Sequence, residues 1–326
     1  MSKSFNHLKA FTHPSDRRVS SRVRAIRDPR TLINVSEEAL YWSGTVGSVG
    51  DGPIQVSVQG EGRVAWPFTM DWRGNILTEA ATPPPFPLAP FEDGSPLPIE
   101  ALRQVAYAMG VDDLRSQLNG ALCDFSAGTV VALDGLIAAV ATIPRVWQGG
   151  RVWLPRQVVR GLLALPKKGL APIYRLQQES PHTFVDIYTP GVRLRYQETS
   201  RRYPTWQEAW AEEPDTQREG VDAQALLAAV QAVNPAGKPN YKNFVQLDFS
   251  EGTVQWGRTE EMVAPLPGTT PIGRSDIHDI TWINVNRLLL TLKQHKGEVT
   301  LRQTGYNRPL IIDGGFRSVI MPMSDD

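Results

Sequence analysis

The sequence predicts an α+β protein built from three repeated units, each an antiparallel sheet covered by helices. Three observations carry this reading. First, one hairpin pattern occurs three times: Val35 to Trp42, Phe125 to Ala132 and Phe249 to Trp256. In each copy an alternating apolar strand meets a Ser and a small or acidic turn pair before a second alternating strand begins, the period-2 signature of a half-buried hairpin. Second, amphipathic helices recur at matched distances from the second and third hairpins. Third, Pro-rich stretches fall between the copies. The copies begin at residues 35, 125 and 249, a spacing too long for a solenoid and right for small domains.

In chain order, the first unit is the shortest. Counting back from Val35 as far as the later helices lie from their hairpins reaches Leu8, where Pro14 leaves room for only a short helix. After Trp42, Ile54 to Val58 and Val64 to Trp72 alternate as strands. No second helix follows this first hairpin, which accounts for the unit's reduced length. The run Thr82-Pro83-Pro84-Pro85-Phe86-Pro87 cannot be helix or central strand, because Pro fixes φ and lacks the amide donor. It closes the first unit.

In the second unit, Leu102, Val105, Ala106 and Met109 have i, i+3, i+4, i+7 spacing in a helix starting near Pro98. After the hairpin, Val158, Val159 and Leu162 form the apolar stripe of a second helix. Tyr203-Pro204-Thr205-Trp206 through Gly220 closes this unit. The third unit repeats the plan: Ala223, Leu226, Leu227 and Val230 after a capping Asp222, then Val285, Leu288, Leu289 and Leu292 after Asn284. The units therefore span 1–94, 95–217 and 218–326.

Composition narrows the function. The chain has 326 residues, 41% of them hydrophobic and 21% charged, as in an ordinary soluble protein. No apolar run spans a membrane and no charged-then-apolar leader follows Met1, so a cytoplasmic protein is expected. Lys plus Arg and Asp plus Glu both total 34, so net charge neither suggests nor excludes nucleic acid. The segment Asp16 to Arg30 is Arg-rich, compatible with a solvated arm or with phosphate contacts. Cys123 lies in a strand pattern and reads as a buried small hydrophobe. The five histidines (His7, His13, His182, His278, His295) have no metal-ligand spacing, and there is no P-loop, dinucleotide fingerprint or nucleophile elbow. A non-enzymatic binding role without a cofactor is expected.

Several strings carry a resemblance. Met109-Gly110-Val111-Asp112-Asp113-Leu114-Arg115-Ser116-Gln117-Leu118-Asn119-Gly120, then Leu133-Asp134-Gly135 and the near-terminal Val319-Ile320-Met321-Pro322-Met323 resemble the bacterial DNA polymerase III beta sliding clamp family. The resemblance covers residues 95–326, and in the first unit extends to Thr31–Gly44 and loosely Ile54–Phe91. It implies the clamp fold: helices lining a ring interior, antiparallel sheets outside, and a reduced, divergent N-terminal domain. It implies a processivity factor that encircles duplex DNA and tethers a polymerase and a clamp loader through short linear motifs. The alternative is a clamp-derived regulatory protein that binds such peptides without encircling DNA.

The resemblance also implies sites. A peptide-binding pocket would use Leu118, Leu133, Gly135, Leu136 and Ile137, with Pro204, Asn284 and Arg287, and with Val319, Ile320, Met321, Pro322 and Met323. Leu136 and Ile137 replace a usual His-Arg pair, so a greasier floor is expected, and Ser324-Asp325-Asp326 adds an acidic rim. DNA-facing cations would be Arg22, then the row Arg156, Arg160 and Lys168 with adjacent Lys167, then Lys293 and Lys296. A sliding protein needs phosphate attraction without base readout, which cations spread over helix faces supply. Head-to-tail joining of two chains would place Ile76 and Leu77 against Val230 and Val233 of the neighbour. The expected location is the cytoplasm, on the nucleoid.

Overall fold

The computed structural model describes residues 54–58, 68–70, 76–79, 93–111, 115–144, 150–164, 172–179, 182–189, 192–198, 203–207, 216–233, 243–256, 263–268, 280–303 and 308–323. The first hairpin copy, the Leu8 region, Arg22, Lys167 and Lys168 lie outside them. The chain forms two compact units, residues 1–131 with 143–203, and residues 132–142 with 204–326.

The first unit holds a seven-stranded sheet, all of its described pairings antiparallel. Its strands are β1 (Ile54–Val58), β2 (Phe68–Met70), β3 (Ile76–Glu79), β4 (Ser95–Pro96), β9 (Ile173–Glu179), β10 (His182–Thr189) and β11 (Val192–Gln197), in the order β3-β2-β1-β11-β10-β9-β4. The alternating segments of the first sequence repeat thus pair with the second repeat, β1 against β11. One face of β10 and β11 is apolar and closed, with Val185, Ile187 and Leu194 fully buried. The other carries a ladder of charge, Asp186 standing opposite both Arg175 and Arg195. Asp186 is fully buried, and Arg175 approaches it at 3.4 Å.

The same unit contains β5 (Gly120–Asp124), the first three residues of β6 (Thr129–Leu133) and β8 (Arg151–Pro155), with helices α1 (Ile99–Val105) and α2 (Arg156–Ala164). Helix α2 packs on α1, β5 and β8, turning Val158, Val159 and Leu162 inward as their spacing predicts. Helix α1 is shorter than the periodicity suggests. It passes at Ala106 into a 3-10 turn, Ala106–Ala108. That tightening buries Ala108 and leaves Ala106 half-exposed, while Leu102, Val105 and Met109 remain inside. Cys123 is fully buried, and burial pushes its thiol far above the ordinary range, so it is inert.

The second unit contains β7 (Ile137–Thr142), β12 (Thr216–Asp222), β17 (Glu298–Gln303), β18 (Leu310–Asp313) and β19 (Arg317–Ile320), which run β12-β17-β18-β19-β7. A second sheet runs β15-β14-β13-β16, made of β13 (Phe244–Asp248), β14 (Thr253–Trp256), β15 (Val263–Pro265) and β16 (Ile280–Asn284). Helices α3 (Ala223–Val233) and α4 (Val285–Leu292) pack together over the core. The core joins Leu226, Val230 and Val233 of α3 to Leu288 and Leu292 of α4 and to Val245, Leu247, Ile283, Leu301 and Ile312 of the sheets. Asp222 caps α3, its Oδ1 accepting the Ala225 N–H at 2.7 Å.

The repeat is visible at atomic detail in the two described hairpins. Asp124 Oδ1 accepts the Ser126 hydroxyl at 2.6 Å and the Ala127 N–H at 2.9 Å. Asp248 Oδ1 accepts the Ser250 hydroxyl at 2.6 Å and the Glu251 N–H at 2.9 Å. Gly128 and Gly252 follow with φ of 70° and 66°, a left-handed conformation that disfavours any side chain. Their carbonyls then accept equivalent amides, Ile143 at 2.9 Å and Leu266 at 2.8 Å.

Candidate functional site

The best-defined feature in the second unit is where β7 begins and β19 ends. Asp134, Gly135, Leu136 and Ile137 form a tight turn. The Asp134 N–H donates to the Ile137 carbonyl at 3.0 Å, while one carboxylate oxygen accepts the N–H groups of Leu136 at 2.7 Å and Ile137 at 2.6 Å. Gly135 takes φ of 93°, which the turn requires. The strands then run antiparallel with Ile320 opposite Ile137 and Val319 opposite Ala138. One residue past β19, the Met321 N–H donates to the Leu136 carbonyl at 2.8 Å. Leu136 is 41% exposed and Met321 36%. Two large apolar side chains therefore stand at the surface, joined through their backbones.

The chain beyond β19 is held on the second sheet. Met323 N–H donates to the Trp282 carbonyl at 2.7 Å, on strand β16 at the sheet's edge. Trp282 is half-buried; its ring lies 6.0 Å from Phe244, and its Nε1 donates to Gln246 at 3.2 Å. A strip runs from Leu136 and Met321 through Pro322 and Met323 towards Trp282 and Phe244. It is largely apolar.

The expected pocket residues divide. Leu136 and Met321 are exposed, Pro322 and Met323 half-exposed, and Leu133 and Gly135 flank the turn. Ile137, Val319 and Ile320 are 3%, 1% and 0% exposed. They support the surface from beneath, Ile320 within the core itself. Of the pair Leu136 and Ile137, expected together at a pocket floor, Leu136 is exposed and Ile137 lies inside, because β7 carries Ile137 into the interior. Asn284 caps α4 by accepting the Arg287 N–H at 3.2 Å, and Arg287 is half-buried on the first turn. Pro204 is exposed. Leu118 belongs to the first unit, where it is buried and its carbonyl accepts the Gly110 N–H at 2.9 Å.

The cations also divide. Arg160 is exposed on α2, but Arg156 is half-buried, with Nη1 donating to the Gly110 carbonyl at 2.9 Å. Burial lowers the Arg156 pKa, and the charge of Arg160 lowers it further. Arg156 is therefore a staple between α2 and the loop after α1 as much as a surface charge. Lys293 and Lys296 are exposed at the C-terminal end of α4, where the helix dipole favours cations. For the seam, β3 with Ile76 and Leu77 is at the edge of its sheet. Val230 and Val233 are a correction: at 0% and 3% exposure they are buried in their own unit's core, since i, i+3 spacing puts both on the inward stripe of α3.

Sequence reasoning missed two contributors. Asp134 reads as a turn residue, but nothing local says that it holds Leu136. Trp282 could have been found from alternation: Thr281 and Ile283 point inward, which puts Trp282 on the outer face beside Phe244.

The geometry has the α+β architecture of a DNA clamp, and comparison with solved structures agrees. A DNA polymerase sliding clamp from Bacillus subtilis aligns over 99% of this chain and 97% of its own, with a TM-score of 0.63 and 14% identity. A DNA polymerase III beta subunit from Thermotoga maritima gives the same coverage, TM-score and identity. The beta subunit from Pseudomonas aeruginosa aligns over 99% and 98%, with a TM-score of 0.62 and 17% identity. No protein-family profile matches the sequence, and no curated protein does. The chain has the fold of bacterial DNA polymerase III beta subunits, at a low sequence identity.

Proposed function

We propose that this chain is a DNA sliding clamp: a head-to-tail homodimer that closes around duplex DNA and tethers a polymerase and a clamp loader. The observation that carries the reading is the clamp fold, aligned over 97% or more of both chains in three bacterial beta subunits. In this reading the chain comprises three clamp domains, 1–94, 95–217 and 218–326, the first one reduced. The local repeat at Asp124 and Asp248 supports the division between the second and third.

The exposed pair Leu136 and Met321, with Met323 and Trp282 alongside, is the surface for short linear motifs. Apolar side chains of varied shape suit it, because Met repacks around different partners. Arg160, Lys293 and Lys296 supply sequence-independent phosphate attraction, which a protein that slides requires. The seam uses β3, the edge strand among the described residues, on one side and, on the other, the outward face of α3 rather than Val230 and Val233. The protein acts by binding and not by catalysis, on nucleoid DNA in the cytoplasm. No described helix is long and apolar enough to cross a membrane.

Solution mass tests this directly. Light scattering at micromolar concentration should return twice the 36.1 kDa chain mass. A single-chain mass throughout would instead favour a peptide-binding protein that does not encircle DNA.

A further inference from the structure

We propose that Asp134 is a positioning residue for peptide recognition, fixing Leu136 at the surface beside Met321 before any partner arrives. This rests on the reading of that surface as the site for linear motifs.

Leu136 keeps 41% of its surface exposed, although burial is the direction the hydrophobic effect favours. Here its backbone is pinned from both sides. Its N–H donates to Asp134 Oδ1 at 2.7 Å and its carbonyl accepts Met321 at 2.8 Å. The same Asp134 oxygen takes the Ile137 N–H at 2.6 Å, locking the residue that anchors the turn in the interior. Hydrogen bonds to a carboxylate are about twice as strong as neutral ones. Gly135 at φ 93° permits the reversal. The turn is overdetermined around a side chain that stays 41% exposed, which is the arrangement expected of a preorganised anchor. The ordering cost of Leu136 is then met in folding and not in binding.

Removing the carboxylate frees the Leu136 amide at the surface, where water can satisfy it, and leaves the amide of buried Ile137 without its side-chain acceptor. The turn loosens without the chain unfolding. Asn keeps the accepting oxygen in place, so Asp134→Asn retains the geometry. A purely structural aspartate would give losses independent of Leu136, whereas a positioning residue acts through it.

The test uses the full chain and a fluorescein-labelled hexapeptide, selected on the wild-type protein from a library with Leu or Phe at two positions. Asp134→Ala should weaken binding about tenfold, and Asp134→Asn should stay within about twofold of wild type. On a Leu136→Ala background, Asp134→Ala should add less than about twofold. Gly135→Ala, which leaves the carboxylate but strains the turn, should also weaken binding and also lose its effect without Leu136. If Asp134→Ala lowers the melting temperature, the comparison on the Leu136→Ala background decides, since a general loss of stability would weaken binding there as well. Wild-type affinity in Asp134→Ala and Gly135→Ala, full additivity with Leu136→Ala, or an Asn variant as weak as Ala would overturn the positioning role. If Leu136→Ala and Met321→Ala themselves leave peptide affinity unchanged, the peptide-binding reading fails, and the positioning role with it.

Discussion

Met321 donates its backbone N–H to the carbonyl of Leu136 at 2.8 Å, so two surface apolar residues 185 positions apart in sequence form one ledge. Each is exposed by more than a third. Truncating either to Ala should weaken a linear-motif peptide by roughly 1 to 3 kcal/mol, the range for a buried apolar anchor. Folding should persist, since neither side chain is in the core. The double variant should lose less than the sum, because the two contact one ligand. Calorimetric titration of the four proteins measures both effects; strict additivity would mean that the two side chains contribute independently.

The buried His295 should contribute to the acid sensitivity of the second unit. It lies 1% exposed, stacked on Phe316 at 4.2 Å, with Nε2 2.8 Å from the Ser318 hydroxyl. Nδ1 has no hydrogen-bond partner among the described residues. Burial lowers its pKa from 6.5 to about 4, only partly opposed by nearby Asp313. A folded-state pKa below the unfolded one means that the unfolded chain takes up the proton first. Stability should therefore be complete above pH 6.5 and fall as the pH drops towards 4, by about 3 kcal/mol in all. Denaturant midpoints across that range check it. His295→Gln should flatten this part of the profile.

The two arginines of α2 should behave differently. Arg160 is exposed and free to meet phosphate, so Arg160→Glu should lower DNA affinity and reduce the salt slope by about one. Arg156 is tied to the Gly110 carbonyl at 2.9 Å. Arg156→Ala should cost about 1 kcal/mol of stability as well, the usual worth of such a bond. Thermal melts and binding isotherms at several salt concentrations separate the two. Equal behaviour of both variants in both assays would contradict the assignment of Arg156 as a staple.

Much of the fold is legible in the sequence because it is written in short-range pattern. The stripes Val158-Val159-Leu162 and Val285-Leu288-Leu292 point inward as spaced, and Asp222 caps α3. The hairpin repeat is legible because the second and third copies place a Ser and a left-handed Gly at the same offsets after an Asp. The site is less legible, because it depends on long-range pairing. Periodicity marks Val230 and Val233 as apolar but cannot say whether the stripe meets a neighbouring chain or its own core. Leu136 and Ile137 are adjacent and chemically alike, yet one is at the surface and the other inside. Only the turn that ends between them decides. Trp282 joins the strip through Met323, which no local pattern records.

Topology gives the last prediction. A protein that holds DNA by encirclement leaves only through a free end, whereas one held by phosphate contacts leaves as salt displaces it. After loading onto nicked circular DNA, this protein should remain bound at salt that strips ordinary phosphate binders. Linearising the template should release it. Charge reversal at Arg160, Lys293 and Lys296 together should reduce loading without altering the solution mass, because these exposed cations lie on α2 and on the turn after α4 and are not themselves residues of β3 or α3, where the seam is placed. Gel filtration of protein with each template, in the presence of a competent loader, reads the outcome. Equal retention on circular and linear DNA would remove encirclement and leave surface binding, because a ring and a patch differ only in whether an end matters.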